Sequence, residues 1–159
     1  MIQPTASLLL TLTARRILKA PPARVFQAWT DPAQLRRWFA VSEGYTTPLA
    51  EVDLRVGGRY RLGMQPPGST QVMMVWGEYQ EITPPDRLIF TWQWEGAASD
   101  EATTLVTVTI NPHTQGTELV LSHERFGREA SRDEHAAGWT GCLNHLERLL
   151  AGGEANDLA

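Results

Sequence analysis

The chain contains 159 residues, of which 42% are hydrophobic and 20% are charged, a composition typical of a folded globular protein rather than a disordered or collagen-like one. Its 18 acidic and 14 basic side chains give a formal net charge of −4, which disfavours nucleic acid as a partner because the phosphate backbone is also negative. Cys142 is the only cysteine, so no intrachain disulfide can form and a reducing cytoplasm is the expected location. No apolar run reaches the roughly 18 residues of a membrane-spanning helix.

The first predicted elements are one strand and two short helices. Residues 8–17 alternate apolar and polar side chains, which predicts a strand with one buried face. Two prolines at residues 21–22 end this strand, and proline is tolerated in a first helical turn, so residues 23–30 are predicted to be helical. Asp31 is the expected N-cap of a second helix over residues 32–39.

Six further strands are predicted from apolar side chains that recur at every second residue. They cover residues 50–54, 60–64, 72–82, 87–95, 104–110 and 117–123. A turn at Gly57 and Gly58 joins the first two of them into a hairpin. With the strand at the N-terminus, they predict a seven-stranded antiparallel sheet. One strand has an unusually aromatic face, formed by Leu88, Phe90, Trp92 and Trp94.

The last predicted element is a long helix over residues 128–150. Its apolar side chains follow one another at spacings of three and four residues, as a buried helix face requires. They are Ala136, Trp139, Leu143, Leu146 and Leu150. The order of elements predicts a single α+β domain over residues 1–159, with an ordered core of about residues 7–152.

Several short stretches form a pattern through their order and spacing. They are APPARVF (20–26), WTDP (29–32), WF (38–39), DLRVGGRY (53–60), GEY (77–79), PPDRL (84–88), GTEL (116–119), His123 and GW (138–139). With them the chain resembles the START-like helix-grip superfamily, also called SRPBCC or Bet v 1-like, and within it the family named after the activator of Hsp90 ATPase. The resemblance covers nearly the whole chain. It implies a curved antiparallel sheet that grips the C-terminal helix over a hydrophobic cavity.

The aromatic side chains support a cavity between sheet and helix, although they could also simply fill a core. Large rings that meet from both sides and cannot interdigitate fully leave space between them. The side chains expected to line this cavity are Trp38, Phe39, Tyr60, Met74, Trp76, Phe90, Trp92, Trp94, His123, Trp139 and Leu143. Either Met73 or Met74 could line it, because thioether side chains adapt to varied ligands.

His123 is the candidate catalytic residue, because strand alternation places it on the face of Leu119 and Leu121. The alternative is a hydrogen-bonded core histidine. His135 and His145 are separated by about 15 Å along the helix, so they cannot chelate one metal ion. Both, together with His113 in a turn, are expected on the surface. Motifs of metal, nucleophile or phosphate sites are absent, so no metal or cofactor is expected.

The residues around the double glycine allow two interpretations. Asp53, Arg55 and Arg59 could orient the polar end of a substrate, or they could form an ion pair that braces the hairpin. Glu51 and Asp53 share one face of a strand, and solvated carboxylates are the expected outcome there. Cys142 is expected to be a buried thiol rather than a nucleophile, since no base lies near it in the sequence.

These observations favour a small module that binds a hydrophobic or aromatic compound. An enzyme of the cyclase or hydrolase type is the alternative, since START-like relatives include such enzymes, and His123 is then its acid or base. A third alternative is a chaperone-linked interaction domain. An Hsp90-type chaperone is not the expected partner, because the chain resembles only one domain of that co-chaperone. The sequence leaves open whether two copies form a homodimer.

Overall fold

The computed structural model describes residues 10–96 and 103–153. In these ranges seven strands form an antiparallel sheet, and three α-helices accompany it. The strands are β1 (Leu12–Leu18), β2 (Thr46–Val52), β3 (Arg59–Gln65), β4 (Met73–Thr83), β5 (Arg87–Trp94), β6 (Thr104–His113) and β7 (Gly116–Glu124). The helices are α1 (Pro22–Thr30), α2 (Pro32–Trp38) and α3 (Glu129–Arg148).

The strand order in the sheet is β1-β7-β6-β5-β4-β3-β2. Each strand from β2 to β7 therefore pairs with its neighbour in the chain, and β1 closes the far edge against β7. Because β1 and β2 lie at opposite edges, the chain between them must cross the sheet, and α1 and α2 form this crossing. The α+β helix-grip architecture predicted from the sequence is confirmed.

The two short helices begin where the prolines and Asp31 predict. Pro22 opens α1, and the Asp31 side chain accepts a hydrogen bond of 2.9 Å from the Ala33 amide at the start of α2. The indole N–H of Trp38 donates to the Ala28 carbonyl at 2.8 Å. This bond fixes α2 against α1, and it gives the buried indole the acceptor that it needs.

The long helix packs its predicted apolar stripe against the sheet. Trp139, Leu143 and Leu146 of α3 are buried, as their spacing predicted, and so is Leu150 in the π-helical turn Leu149–Gly153 that follows. The helix also rests on the segment that follows α2. A β-carbon at Gly141 would lie only 1.8 Å from the Val41 carbonyl oxygen, so this close approach requires glycine.

Element boundaries differ from the prediction at several ends. β2 covers Thr46–Val52, earlier than the predicted residues 50–54, because the chain turns at Asp53, whose carbonyl accepts from the Arg55 amide. β6 continues to His113, since its ladder with β7 extends to the turn. β1 covers Leu12–Leu18, so residues 10 and 11 of the predicted first strand come before it; residues 8 and 9 lie outside the described residues.

The two glycines of the β2–β3 hairpin have different functions. Gly57 has a φ of +87°, whereas a β-carbon at Gly58 would lie 2.2 Å from the Asp53 carbonyl oxygen. Gly57 therefore supplies the left-handed backbone, and Gly58 the close approach. Arg55 pairs with Asp53 at 3.0 Å, so the predicted ion pair is present.

Helices of the described ranges are all too short or too polar to cross a lipid bilayer.

Candidate functional site

A cleft lies beside the N-terminal half of α3. It has a volume of about 490 Å³, which falls in the range of roughly 300–1,000 Å³ found for small-molecule sites. The cleft is lined by Phe39, Val41, Met64, Met73, Trp92, Trp94, Arg128, Ser131, Glu134, His135, Gly138, Trp139 and Cys142. Its walls are mainly aromatic and thioether groups, whereas the exposed Arg128 and Glu134 carry charge.

A second, much smaller space lies deeper between sheet and helices, and we call it the inner void. Its volume is about 20 Å³, enough for about one water molecule. It is lined by Trp29, Leu35, Trp38, Phe39, Tyr60, Leu62, Tyr79, Phe90, Trp92 and Trp139. Aromatic rings pack closely around the inner void: the ring centroids of Trp29 and Trp38 are 4.7 Å apart, and those of Tyr60 and Phe90 are 5.2 Å apart.

Phe39, Trp92 and Trp139 line both the cleft and the inner void. We call these three rings the aromatic partition. The ring of Trp92 lies 5.1 Å from that of Trp139 and 6.0 Å from that of Phe39. A compound in the cleft would therefore touch the same rings that close the inner void.

The residues predicted to line one cavity are distributed over four places. Trp94 and the aromatic partition line the cleft, while the inner void is also lined by Trp38, Tyr60 and Phe90. His123 and Leu143 are fully buried and line neither space. Met74 and Trp76 lie on the outer face of the sheet.

The outer position of Met74 follows from the register of β3 and β4. Met73 pairs with the buried Met64, while Met74 pairs with Gly63. Successive side chains alternate between faces, so Met73 points inward and lines the cleft, and Met74 points outward.

Trp76 shares that outer face, where the Arg59 guanidinium lies 5.3 Å from its ring centroid. A cation over an aromatic face is a favourable surface contact. Arg59 thus takes part in neither the hairpin ion pair nor the cleft, and Trp76 belongs to the exterior of the sheet.

His123 lies in a linear chain of hydrogen bonds that runs from the Trp139 indole to the Trp92 carbonyl. Its Nδ1 accepts from the Trp139 indole N–H at 3.0 Å, and its Nε2 lies 2.7 Å from Thr104 Oγ1. Because an indole N–H can only donate, Nδ1 is unprotonated and Nε2 carries the proton that Thr104 accepts. The Thr104 hydroxyl then donates to the Trp92 carbonyl at 3.1 Å.

The electrostatic environment keeps His123 neutral. Its side chain has no exposed surface, and burial, together with the nearby His135, lowers its pKa to about 2. A neutral ring with both nitrogens bonded to protein groups has no lone pair or proton to exchange with a ligand. The geometry supports the core histidine rather than the general acid or base.

His135 contributes to the cleft, contrary to the surface position predicted for it. Its Nε2 accepts from the Trp94 indole N–H at 3.0 Å, and its Nδ1 donates to the Ser131 carbonyl at 2.7 Å. The signal in the sequence was its position four residues before Trp139, on the same helix face. Cys142 and Ser131 continue this face along the cleft.

His145 was also predicted on the surface, yet only 16% of its side chain is exposed. Its Nδ1 donates to the Ala40 carbonyl at 2.8 Å, and its Nε2 lies 3.2 Å from Glu43 Oε2. The hydrogen bond from His145, and then the charge of Arg148, lower the pKa of the exposed Glu43 carboxyl. These contacts tie the segment after α2 to the C-terminal half of α3. His113 is exposed in the β6–β7 turn, as predicted.

Two other candidate chemistries find no support in the described ranges. Cys142 is 2% exposed, and burial raises the pKa of its thiol to about 12, so the reactive thiolate is essentially unpopulated near neutral pH. Among residues 10–96 and 103–153, no three His, Cys, Asp or Glu side chains are arranged to hold a metal ion.

Comparison with known proteins identifies the family of this fold. The sequence matches the family profile described as "Activator of Hsp90 ATPase homolog 1-like protein" over residues 19–151. No curated protein shows significant similarity to the chain.

Solved structures give consistent similarities. A protein from Chromobacterium violaceum is 30% identical, with 89% of this chain and 97% of that chain covered and a TM-score of 0.80. An AHSA1 protein from Silicibacter pomeroyi is 28% identical, with coverage of 89% and 97% and a TM-score of 0.77. CalU16 from Micromonospora echinospora is 25% identical, with coverage of 92% and 79% and a TM-score of 0.67. The chain belongs to the Activator of Hsp90 ATPase homolog 1-like family.

Proposed function

We propose that this protein binds a small, mainly apolar aromatic compound in the cleft. The family supports a ligand-binding helix-grip domain in general. The observation that carries the specific proposal is a cleft of about 490 Å³ whose walls include Phe39, Trp92, Trp94 and Trp139. Sites of this size with mostly apolar walls and few polar groups are typical of small-molecule binding.

The arrangement of the rings favours an aromatic ligand over a flexible aliphatic one. The planes of Trp92 and Trp94 are at 89° to each other, and those of Phe39 and Trp92 are at 65°. A flat ligand can therefore meet one ring face-on and another edge-on, which are the favoured geometries of aromatic pairs. Met64 and Met73 add thioether groups that adapt to the outline of a ligand.

Binding without turnover fits the polar groups better than catalysis does. The enzyme alternative relied on His123, both of whose ring nitrogens are bonded within the core. His135 is bonded at both nitrogens as well, and Cys142 is a protonated thiol at neutral pH. The proposal also includes a cytoplasmic location, which the single cysteine supports, and no nucleic-acid partner, which the net charge of −4 supports.

The test is a variant that narrows the cleft from its α3 wall, where a β-carbon would meet Val41 Cγ1 at 3.3 Å. Gly138 lines the cleft, so Gly138→Met directs a side chain into it. Ala137→Met is the matched control, because Ala137 is exposed on the same helix. We expect Gly138→Met to weaken binding of aromatic compounds by about tenfold or more, or about 1.4 kcal/mol in binding free energy, because its side chain occupies volume that the ligand needs.

Binding is measured by isothermal titration calorimetry with a panel of aromatic and acyl compounds. Thermal melts of both variants verify that the fold is intact. If no compound binds the wild type, or if Gly138→Met and Ala137→Met bind the same compound equally well, the cleft is not the binding site.

A further inference from the structure

Two buried indole groups have no hydrogen-bond acceptor. Trp29 and Trp92 are each 5% exposed, and within the described ranges the indole N–H of neither has a partner. The buried indoles of Trp38 and Trp139 do have acceptors, the Ala28 carbonyl and His123 Nδ1. Buried indole N–H groups normally find a partner, so these two exceptions require an explanation.

Both unpaired indoles belong to the wall of the inner void. Both rings neighbour that of Trp139, whose centroid is 5.9 Å from that of Trp29 and 5.1 Å from that of Trp92. The Tyr60 hydroxyl, also in this wall, donates to the Thr91 carbonyl at 2.6 Å. Two residues that line the void therefore carry unused donors, and the void has the volume of about one small polar group such as a water or a carbonyl oxygen.

The inner void and the cleft share three lining residues. Phe39, Trp92 and Trp139 form this aromatic partition. A compound in the cleft thus lies against the ring of Trp92, and a small group that projects from it toward the partition would approach the void.

We propose that the compound bound in the cleft carries a neutral carbonyl oxygen, which accepts hydrogen bonds from the indole N–H groups of Trp92 and Trp29. This inference rests on the proposed function. A carbonyl is an acceptor without a donor of its own, so it complements a wall with two unused donors. A carboxylate fits less well, because burial of a charge without a counter-ion is costly and the residues that line the void carry none. Aromatic ketones and quinones are the ligand class that combines a flat ring with such an oxygen.

The experiment compares fluorene with 9-fluorenone, which share one tricyclic skeleton and differ at C9, a methylene group in fluorene and a carbonyl group in 9-fluorenone. Calorimetry gives the ratio of their dissociation constants for the wild type, for Trp92→Phe and for Trp29→Phe. Each variant keeps an aromatic ring but loses the N–H donor. We expect the preference for the ketone to fall about three- to tenfold in Trp92→Phe, as for loss of one hydrogen bond. Trp76→Phe is the control on the outer face, and its ratio should equal that of the wild type.

A second measurement does not depend on the stability of the variants. In wild-type protein labelled with ¹⁵N-tryptophan, 9-fluorenone should shift the Trp92 indole proton downfield, whereas fluorene should not. If both compounds bind, but the ratio is the same in every variant and the indole proton does not respond to the carbonyl, the ketone proposal is overturned and ligand binding stands. If neither compound binds, the proposed function fails for this ligand class, and the ketone proposal fails with it.

Discussion

Acid should destabilise this protein through His123, and the size of the effect follows from its environment. In the folded state the pKa of His123 is lowered to about 2 from its ordinary value of 6.5. Below pH 6.5 the unfolded chain therefore binds a proton at this ring that the folded chain does not. Where the unfolded state binds more protons than the folded state, the free energy of unfolding decreases as the pH is lowered. The loss therefore begins near pH 6.5 and continues until about pH 2.

The expected loss can be calculated for an accessible interval. One pKa unit corresponds to about 1.4 kcal/mol. Between pH 7.5 and pH 5.0 the unfolded ring becomes almost fully protonated while the folded ring stays neutral. Integration over this interval gives a loss of about 2 kcal/mol in the free energy of unfolding.

The assay is urea denaturation at pH 7.5, 6.5, 5.5 and 5.0 and constant ionic strength, for the wild type and for His123→Gln. The variant lacks the titrating ring and retains His135 and His145, so contributions of those residues cancel in the comparison. We expect the wild type to lose about 2 kcal/mol more than the variant across the interval. Equal losses in the two proteins would refute a buried neutral His123, whatever the stability of the variant at pH 7.5.

The strands and helices could be predicted because each depends on short-range sequence patterns. Apolar side chains at every second residue mark the strands, and the spacing of Trp139, Leu143 and Leu146 marks the buried face of α3. Asp31 followed by Pro32 marks the start of α2. None of these signals requires knowledge of what packs against the element, so the α+β element order was accessible from the sequence patterns, whereas the helix-grip arrangement was implied by the family resemblance.

The position of the open space depends on contacts between distant elements. Rings from α1, α2, β3 and β5 fill the centre of the sheet, as the contact of Trp29 with Trp38 shows. The volume remains at the N-terminal half of α3, where Gly138 and Ser131 leave room. Because Met73 and Met74 are both apolar, alternation alone could not decide which one faces inward. The pairing of Met73 with Met64 decides it.

The prediction that His135 and His145 of α3 lie on the surface was wrong for a related physical reason. A histidine on a helix is assigned to the surface by its polarity, but burial is tolerated when both nitrogens find partners. His145 finds Ala40, which lies 105 residues earlier in the chain. His135 finds Trp94 on β5. Only the tertiary structure supplies these partners.

Two further predictions test the helix and the thiol that lines the cleft. Leu146 has no exposed surface, so Leu146→Ala should cost about 2–5 kcal/mol in urea denaturation, whereas the exposed Glu147→Ala should cost less than about 1 kcal/mol; equal costs would contradict the packing of α3 on the sheet. Cys142 should react with Ellman's reagent at pH 7.5 far more slowly in the native protein than in urea, because burial raises its pKa to about 12 and the thiolate is the reacting species. A compound bound in the cleft should slow the native reaction further, since Cys142 lines that wall. Rapid native labelling that ligands do not alter would show that the thiol is exposed and that the cleft wall is wrongly assigned.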